Sequence, residues 1–283
     1  SRKVVALRTA PGQQHDVSFV ESSPEDQVQP KLHTHQYLKP GDRIPQAWPH
    51  LFDVETQKEI PLDKELFPNP WMTPPRIEWA SDSSRFFFTY NQRGHQVLRV
   101  ICVDADNGKA DAVVDEQSDT FIDYAYKQYR RILHDSNELI WMSERDGWNH
   151  LYLHDLATGE VRNQITKGEW VVRRVDHVDN EKRQICFRAS GTYPEQDPYY
   201  VHYCRVNFDG SGLTVLTEGD GTHSVSWSPD RKLLVDTYSR VDQPPITELR
   251  SGETGKWICE LEQADWSSLL ETGWRAPERF AAK

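Results

Sequence analysis

Residues 76–114 read RIEWASDSSRFFFTYNQRGHQVLRVICVDADNGKADAVV. Four short segments rich in aromatic and β-branched residues alternate there with three turns, the last of them Asp106-Asn107-Gly108. Aromatic and β-branched side chains fit the half-buried surface of a sheet, and an Asn-Gly pair favours a tight hairpin. This stretch therefore predicts an antiparallel meander of four strands.

The same order of four strands recurs three times further along the chain. The four repeats, taken as blades, cover residues 74–117, 118–168, 169–219 and 220–262. Their length of roughly 45–50 residues is close to the ~40–50 residues of a propeller blade. A β-sandwich would also give short strands and turns, but not this regular order with Trp79 and Trp227 in matching places. The sequence predicts an all-β fold, a β-propeller of four-stranded antiparallel blades.

The N-terminal quarter of the chain is less regular. Residues 1–73 indicate an irregular or partial blade, within which residues 21–45 are rich in proline and polar residues and predict a loop. The propeller segment as a whole then covers residues 1–262. About four to five blades make only a partial ring, and a partial ring leaves strand edges unpaired. Because the chain opens on strand-like sequence, we expect the natural protein to begin upstream of Ser1.

Composition restricts the possible partners. The formal net charge is −11, whereas a nucleic-acid partner requires a basic face, so we expect no nucleic acid. No apolar run approaches the ~20 residues of a membrane-spanning helix, so no span is predicted in this chain. The four cysteines have wide, irregular spacings. These spacings fit buried strand cysteines and leave a disulfide open, so they do not decide the compartment.

Sequence motifs of catalysis are missing. The chain contains no Gly-x-Ser-x-Gly, no His-Glu-x-x-His, no phosphate-binding loop and no Gly-x-Gly-x-x-Gly. His33 and His35 could face one side of a strand, but no third ligand lies near them in sequence. We therefore predict no catalytic residue, no metal site and no cofactor in this chain.

An aromatic and basic run, YAYKQYRR at residues 124–131, is the candidate for ligand contact. If the run is extended, strand alternation places Tyr124, Tyr126 and Gln128 on one face. Two interpretations remain open. The rings could pack between blades, as aromatic side chains in sheets commonly do. Alternatively, a tyrosine could line the mouth of the propeller and contact a bound peptide.

Three segments carry a resemblance to a known family. They are SERDGWNHLY at 143–152, TKGEWVV at 166–172 and YLKPGD at 37–42. They resemble the N-terminal domain of dipeptidyl peptidase IV-type enzymes, within the prolyl oligopeptidase family. The resemblance implies an eight-bladed propeller that caps an α/β-hydrolase domain following it in sequence. Together the two domains remove dipeptides from peptide N-termini, often with proline or alanine second.

The resemblance also implies what this chain contributes. The catalytic serine, aspartate and histidine would follow Phe280, and the family's Glu-Glu element would lie upstream, so neither is carried over. Residues 263–283 would be the linker toward the absent hydrolase domain. The chain would then be a non-catalytic propeller segment that gates and orients peptide substrates. Tyr126 and Tyr124 would be substrate-binding residues, although the family's aromatic-arginine pair is replaced here by Ala125 and Tyr126.

The expected partners follow from the same resemblance. They are peptide substrates, the C-terminal α/β-hydrolase domain of the parent chain and, as a further option, a second copy in a homodimer. A periplasmic or extracellular location is implied by the resemblance alone. The alternative is a protein of another class, a stand-alone propeller that binds other proteins and has no peptidase activity.

Overall fold

The computed structural model describes residues 2–278 and residue 280. These residues form twenty-one strands and one five-residue helix, joined by turns and loops. The chain divides into two compact units, residues 1–124 and residues 125–283. The strands of the first unit are β1 (Lys3–Ala10), β2 (Asp16–Glu21), β3 (Lys31–Gln36), β4 (Gln46–Asp53), β5 (Lys58–Ile60), β6 (Glu78–Trp79), β7 (Arg85–Asn91), β8 (Val97–Asp104) and β9 (Ala110–Gln117).

The second unit continues the same pattern of short strands. Its strands are β10 (Arg130–Leu133), β11 (Glu138–Ser143), β12 (His150–Asp155), β13 (Val161–Gln164), β14 (Val171–Asp179), β15 (Gln184–Ser190), β16 (Val201–Asn207), β17 (Thr214–Val215), β18 (Thr222–Trp227), β19 (Leu233–Arg240), β20 (Gln243–Ser251) and β21 (Trp257–Gln263). Helix α1 spans Ser267–Glu271. It is the one helix among the described residues. No helix in this part of the chain is long and apolar enough to cross a membrane.

Four sheets have the predicted four-stranded antiparallel order. They are β6-β7-β8-β9, β10-β11-β12-β13, β14-β15-β16-β17 and β18-β19-β20-β21, each with its strands in sequence order. Trp79 is the last residue of β6 and pairs with Phe86, the second residue of β7. Trp227 is likewise the last residue of β18 and pairs with Leu234, the second residue of β19. Strands β1, β4 and β5 form a three-stranded sheet, and β2 and β3 form a separate hairpin. The all-β prediction of four-stranded blades is therefore confirmed.

Each unit is held together by apolar side chains that neighbouring sheets share. In the first unit, Leu51 of β4 packs in one cluster with Phe86, Phe88 and Ile101 of the four-stranded sheet. Complete burial of such a side chain stabilises the fold by about 1.5–3 kcal/mol. In the second unit the corresponding cluster joins two four-stranded sheets, and its members include Ile140, Leu151, Ile185, Phe187 and Val206.

The hairpins between third and fourth strands have the predicted turn chemistry. Their glycines all have positive φ: Gly108 (76°), Gly159 (77°), Gly210 (84°) and Gly255 (72°). In the first of these hairpins the Gly108 N–H donates to the Asp104 carbonyl at 2.9 Å, and the Asp104 carboxylate accepts from the Asp106 N–H at 2.8 Å. The Asp-rich run at 104–108 is therefore a hairpin turn.

Two segments differ from the sequence-based expectation. Residues 31–36 form β3, whereas residues 21–45 were expected to be a loop. The strand has no alternating hydrophobic pattern in its sequence because both faces of the hairpin β2–β3 are largely exposed. Residues 118–129, the start of the predicted blade 118–168, form a loop, and the first strand of that sheet, β10, begins only at Arg130. There the Ile122 N–H donates to the His95 carbonyl at 2.8 Å, so this backbone contacts a loop and not a ladder.

The turn glycine of the β8–β9 hairpin gives a test of how that hairpin packs. A Cβ atom at Gly108 would lie 2.1 Å from the Pro61 carbonyl oxygen, whereas a Cβ atom at Gly41, also at positive φ, would meet nothing within 4 Å. We expect Gly41→Ala to lower the free energy of unfolding by about 1 kcal/mol through backbone strain alone. Gly108→Ala adds a clash with backbone and should cost about 3 kcal/mol.

Urea unfolding of the two variants, followed by tryptophan fluorescence, measures this difference. Equal losses of stability in the two variants would show that the hairpin does not pack against residue 61.

Candidate functional site

In a four-stranded meander, the loops between second and third strands lie at the same end of the sheet as the connections to neighbouring sheets. In the second unit these loops cover residues 144–149, 191–200 and 241–242, and the connections cover residues 125–129, 165–170 and 216–221. We call this the loop end. Exposed aromatic side chains are concentrated there: Tyr126, Trp148 and Tyr199.

Tyr126 lies on a turn that begins the second unit. Its side chain is 85% exposed. The next residue, Lys127, donates to the Glu144 carboxylate at 2.5 Å and so connects this turn to the loop after β11. A surface ion pair of this kind contributes about 0–1 kcal/mol to stability, and it links the turn that carries Tyr126 to residues 144–149.

The loop after β11 is ordered by its own polar contacts. The Gly147 N–H donates to the Glu144 carbonyl at 2.9 Å, and the Trp148 N–H donates to Asp146 Oδ1 at 3.1 Å. Burial opposes ionisation of Asp146, but hydrogen bonds from the Trp148 backbone and the Gln164 side chain outweigh it and lower the pKa of its carboxyl. The loop therefore presents Trp148 on a fixed backbone.

Below this loop, His150 brings together two of the segments that carried the family resemblance. Its Nδ1 lies 3.0 Å from Thr166 Oγ1, and its Nε2 lies 3.0 Å from the Gly168 carbonyl. Its ring meets the Trp170 ring edge-on at 4.9 Å. His150 is fully buried. These residues are therefore structural supports of the loop end.

The next sheet repeats this arrangement. His202 Nδ1 lies 3.2 Å from Thr217 Oγ1, which also accepts the Tyr203 N–H at 3.1 Å. His202 Nε2 lies 2.8 Å from Gln196 Oε1, and the Gln196 amide donates to the Gly219 carbonyl at 3.2 Å. The loop at 191–200 is thereby anchored from beneath, while Tyr199 remains 82% exposed.

A buried polar network continues from His202. The His202 and His223 rings are 4.6 Å apart, and His223 Nδ1 lies 2.8 Å from the Asp236 carboxylate. The Arg250 guanidinium is 3.6 Å from Asp236 and 2.7 Å from Glu248. Burial, together with the neighbouring His223, lowers the pKa of His202 to about 4. His202 is therefore neutral at neutral pH.

The low pKa of His202 predicts acid sensitivity of the second unit. A folded-state pKa below the ordinary value of about 6.5 means that protonation favours the unfolded chain. The stabilising contribution is complete above pH 6.5 and is lost as the pH falls toward 4. We expect on the order of 2 kcal/mol to be lost between pH 6.5 and pH 4.5.

Urea unfolding at several pH values tests this expectation, with His202→Gln as the variant. His35→Gln is the control, since His35 lies on the exposed hairpin β2–β3. The slope of stability against pH should become shallower in His202→Gln and stay unchanged in His35→Gln. An unchanged slope in His202→Gln would contradict the assignment.

Tyr124 lies in a different environment, at the end of the first unit. Its ring stacks on His95 at 4.1 Å, and the rings of Trp71 and Phe121 are 6.4 and 6.3 Å away. Residues 124–127 form a turn, so the strand alternation used to group Tyr124 with Tyr126 does not apply. A substrate-binding role for either tyrosine stays a prediction.

The side chains that could bind a metal or react as thiols are dispersed over the sheets. Within residues 2–278 and 280, no group of three or more His, Cys, Asp or Glu side chains could hold a metal ion. All four cysteines are free and lie on strands β8, β15, β16 and β21. Burial raises the pKa of the Cys102 thiol to about 11, so this thiol is protonated at neutral pH.

Successive four-stranded antiparallel sheets, each in sequence order, define this chain as a segment of a β-propeller. The chain belongs to the family of the dipeptidyl peptidase IV (DPP IV) N-terminal region, which matches it over residues 1–245. The structure of Porphyromonas gingivalis dipeptidyl peptidase 4 is similar, with a TM-score of 0.67 and 18% identity, over 96% of this chain and 37% of that one.

Relatives in sequence agree with this assignment. Dipeptidyl peptidase 4 of Trichophyton rubrum is 23% identical over 185 residues, which are 64% of this chain and 23% of that protein. Dipeptidyl peptidase 4 of Arthroderma otae has the same identity and coverage. The chain thus spans about a quarter of the length of the curated relatives that it matches.

Proposed function

We propose that this chain is the non-catalytic propeller portion of a dipeptidyl peptidase IV-like serine exopeptidase, where it gates and orients peptide substrates for N-terminal dipeptide removal. The observation that carries the proposal is the exposed Tyr126 ring, held on a turn that Lys127 ties to Glu144. Family membership supports the setting, because the relatives are dipeptidyl peptidases.

The loop end has the physical properties that such a role needs. Exposed aromatic rings offer apolar area, and a tyrosine hydroxyl can also exchange hydrogen bonds with a peptide backbone. Because buried His150 and His202 contacts fix the loop bases, little order has to be acquired when a peptide binds. The net charge of −11 favours approach of a substrate that carries a free amine. In the parent enzyme, loops at this end would narrow the entrance to the active site, so that only small or unfolded peptides could reach it.

The hydrolase domain is the proposed intramolecular partner. In the predicted linker, residues 263–283, helix α1 exposes Leu269 and Leu270. The rings of Trp266 and Trp274 on either side of the helix lie 5.4 Å apart. An apolar surface of this kind is suited to burial against a following domain. The alternative is a stand-alone propeller that uses its exposed aromatic rings to bind other proteins.

Steady-state kinetics of the complete natural protein on a glycyl-prolyl chromogenic substrate test the proposal. We expect cleavage, labelling by a fluorophosphonate probe, and about a tenfold lower kcat/KM in Tyr126→Ala, mainly through KM, because Tyr126 would orient the substrate before reaction. Tyr37→Ala is the matched control, since Tyr37 is exposed outside the loop end.

Two results would count against this function. If Tyr126→Ala and Tyr37→Ala behaved alike, Tyr126 would have no part in substrate binding. If the complete protein neither cleaved nor reacted with the probe, the stand-alone binding module would be favoured.

A homodimer would use the hairpin β2–β3 in this proposal. Val20 and Leu32 lie opposite each other on the hairpin, and both are exposed. Antiparallel pairing of two β3 strands would place Lys31 opposite Gln36, whereas pairing of two β2 strands would oppose Asp16 and Glu21. Charge repulsion therefore favours the β3 edge.

Light scattering after size-exclusion chromatography tests this contact. We expect a dimer that Leu32→Glu converts to a monomer. Val28→Glu, at an exposed position in the loop of the same hairpin, should leave the dimer unchanged. A monomeric unmodified chain, or a dimer insensitive to Leu32→Glu, would exclude the β3 interface.

A further inference from the structure

A glutamine side chain holds the middle of the loop between β15 and β16, residues 191–200. Gln196 Nε2 donates to the Gly219 carbonyl at 3.2 Å, and Gln196 Oε1 lies 2.8 Å from His202 Nε2. Because a carbonyl can only accept, the amide nitrogen of Gln196 must face Gly219 and its oxygen must face His202. The Nε2 atom of His202 therefore carries a proton and donates a hydrogen bond to Gln196.

The other nitrogen of this ring is an acceptor. His202 Nδ1 lies 3.2 Å from Thr217 Oγ1, and the Tyr203 N–H already donates to that oxygen at 3.1 Å. The Thr217 hydroxyl completes the chain of hydrogen bonds by donating its own hydrogen to Nδ1. A proton added at Nδ1 would displace this hydrogen from its acceptor. The contacts of His202 thus match the neutral ring and oppose its protonation.

A second imidazole beside His202 has the opposite hydrogen bonding. His223 Nδ1 lies 2.8 Å from Asp236 Oδ1, and His223 Nε2 lies 3.2 Å from the Gly219 carbonyl. A carboxylate and a carbonyl are both acceptors, so both nitrogens of His223 donate, as they do in a protonated ring. The rings of His202 and His223 are 4.6 Å apart, and both residues are buried. A charge on His202 would therefore meet a like charge that water does not screen.

The other titratable groups near His202 do not stabilise a charge on its ring. The Tyr193 ring meets that of His202 edge-on at 4.8 Å, and burial raises the pKa of the Tyr193 hydroxyl, which is therefore neutral. The remaining titratable side chains of the network contact His223 or one another: Asp236, Tyr238, Glu248, Arg250 and Glu218. Within residues 2–278 and 280, no carboxylate forms an ion pair with His202, and burial and the neighbouring His223 lower its pKa to about 4.

We propose that Gln196 and His202 form a pH-sensitive latch, which holds the loop 191–200 in place at neutral pH and releases it in acid. Protonation of His202 is costly while the loop covers the ring, and the cost is relieved when the loop lifts and water solvates the charge. The ladder between β15 and β16 ends at Ser190 and Val201, so the loop can lift without unpairing the sheet. The latch does not depend on the peptidase proposal, because it concerns this loop alone.

Hydrogen–deuterium exchange of the 283-residue chain at pH 7.5 and pH 4.5 tests the latch, with rates corrected for the exchange of an unstructured peptide at each pH. The backbone N–H groups of Gln196 and Tyr200 donate to carbonyls within the loop, so exchange of residues 191–200 reports its release. The loop is favoured in place above pH 6.5 and loses that preference as the pH falls toward 4. We expect corrected exchange to be about seventyfold faster at pH 4.5, because the pKa of His202 is about 4 beneath the loop and about 6.5 in water.

The hairpin turn at 155–160 is the internal control in the same experiment. Its carboxylate, Asp155, has a pKa of about 2 and stays ionised at both pH values. Corrected exchange of this turn should therefore be the same at pH 7.5 and pH 4.5. Protection of β15 should also persist, which shows that the unit remains folded while the loop is released.

Variants connect the acid response to the two latch residues. Gln196→Ala removes the latch without changing a titratable group, so its loop should exchange at both pH values as fast as the unmodified loop does at pH 4.5. His202→Gln cannot be protonated, so its loop should exchange at one corrected rate at both pH values. Glu195→Gln is the matched control, because Glu195 is the exposed carboxylate next to Gln196, and it should keep the full acid response.

Three results would overturn the latch. The first is equal corrected exchange of residues 191–200 at the two pH values in the unmodified chain. The second is an acid response that survives in His202→Gln but disappears in Asp197→Asn, because Asp197 Oδ1 accepts the Tyr199 N–H at 3.0 Å and would then be the titrating group. The third is loss of protection in β15 together with the loop, which would show that the whole unit unfolds.

Discussion

A β-sheet of four strands has two faces to cover, and no sheet of this protein can bury both by itself. Strand β15 shows how the constraint acts on sequence. Ile185 and Phe187 point into the cluster shared with the preceding sheet, while Cys186 and Arg188 point to the other face. A shift of one residue would exchange these two sets. The alternation therefore fixes the register in which β15 pairs with its neighbours, and with it the residues at which the flanking loops begin.

The loop end depends on a second constraint, which is that buried polar atoms need partners. His150 and His202 lie at the start of the third strand of successive sheets, and each ring lies within hydrogen-bond distance of a threonine in the connection that follows the fourth strand. These contacts join the first residues of a third strand to the connection that leaves the sheet. Movement of the connection would leave an imidazole unpaired in the core, so the loops inherit the rigidity of the sheets.

Local features of the fold could be predicted from sequence, whereas contacts between distant residues could not. The turn glycines at 108, 159 and 255 and the tryptophans at 79 and 227 report on their own neighbourhoods, and the four-stranded order followed from them. Strand β3 was not predicted, because exposure of both faces of the hairpin β2–β3 removes the alternation of apolar and polar residues that burial of one face imposes.

The candidate site was predicted less well for a related reason. The tyrosines at 124 and 126 imitate the alternation of a strand, yet the chain turns there. The polar partners of the loop end also lack a local signal. His202 and His223, whose rings lie 4.6 Å apart, are separated by 21 positions in the sequence (223 − 202). Only the packing of one sheet on the next brings such residues together.

The two ends of each sheet differ in what stabilises them, and this difference explains where function is expected. At the hairpin end, side chains bond to their own turns. Hydrogen bonds from the Arg162 side chain and from the Thr158 and Ala157 backbone lower the pKa of Asp155 to about 2, so its carboxylate keeps the turn capped over most of the pH range. Such hydrogen bonds stabilise a turn from within its own hairpin. At the loop end, stability comes from buried contacts beneath the loops, such as those of His150 and His202. Tyr126 and Tyr199 are both more than four-fifths exposed at this end.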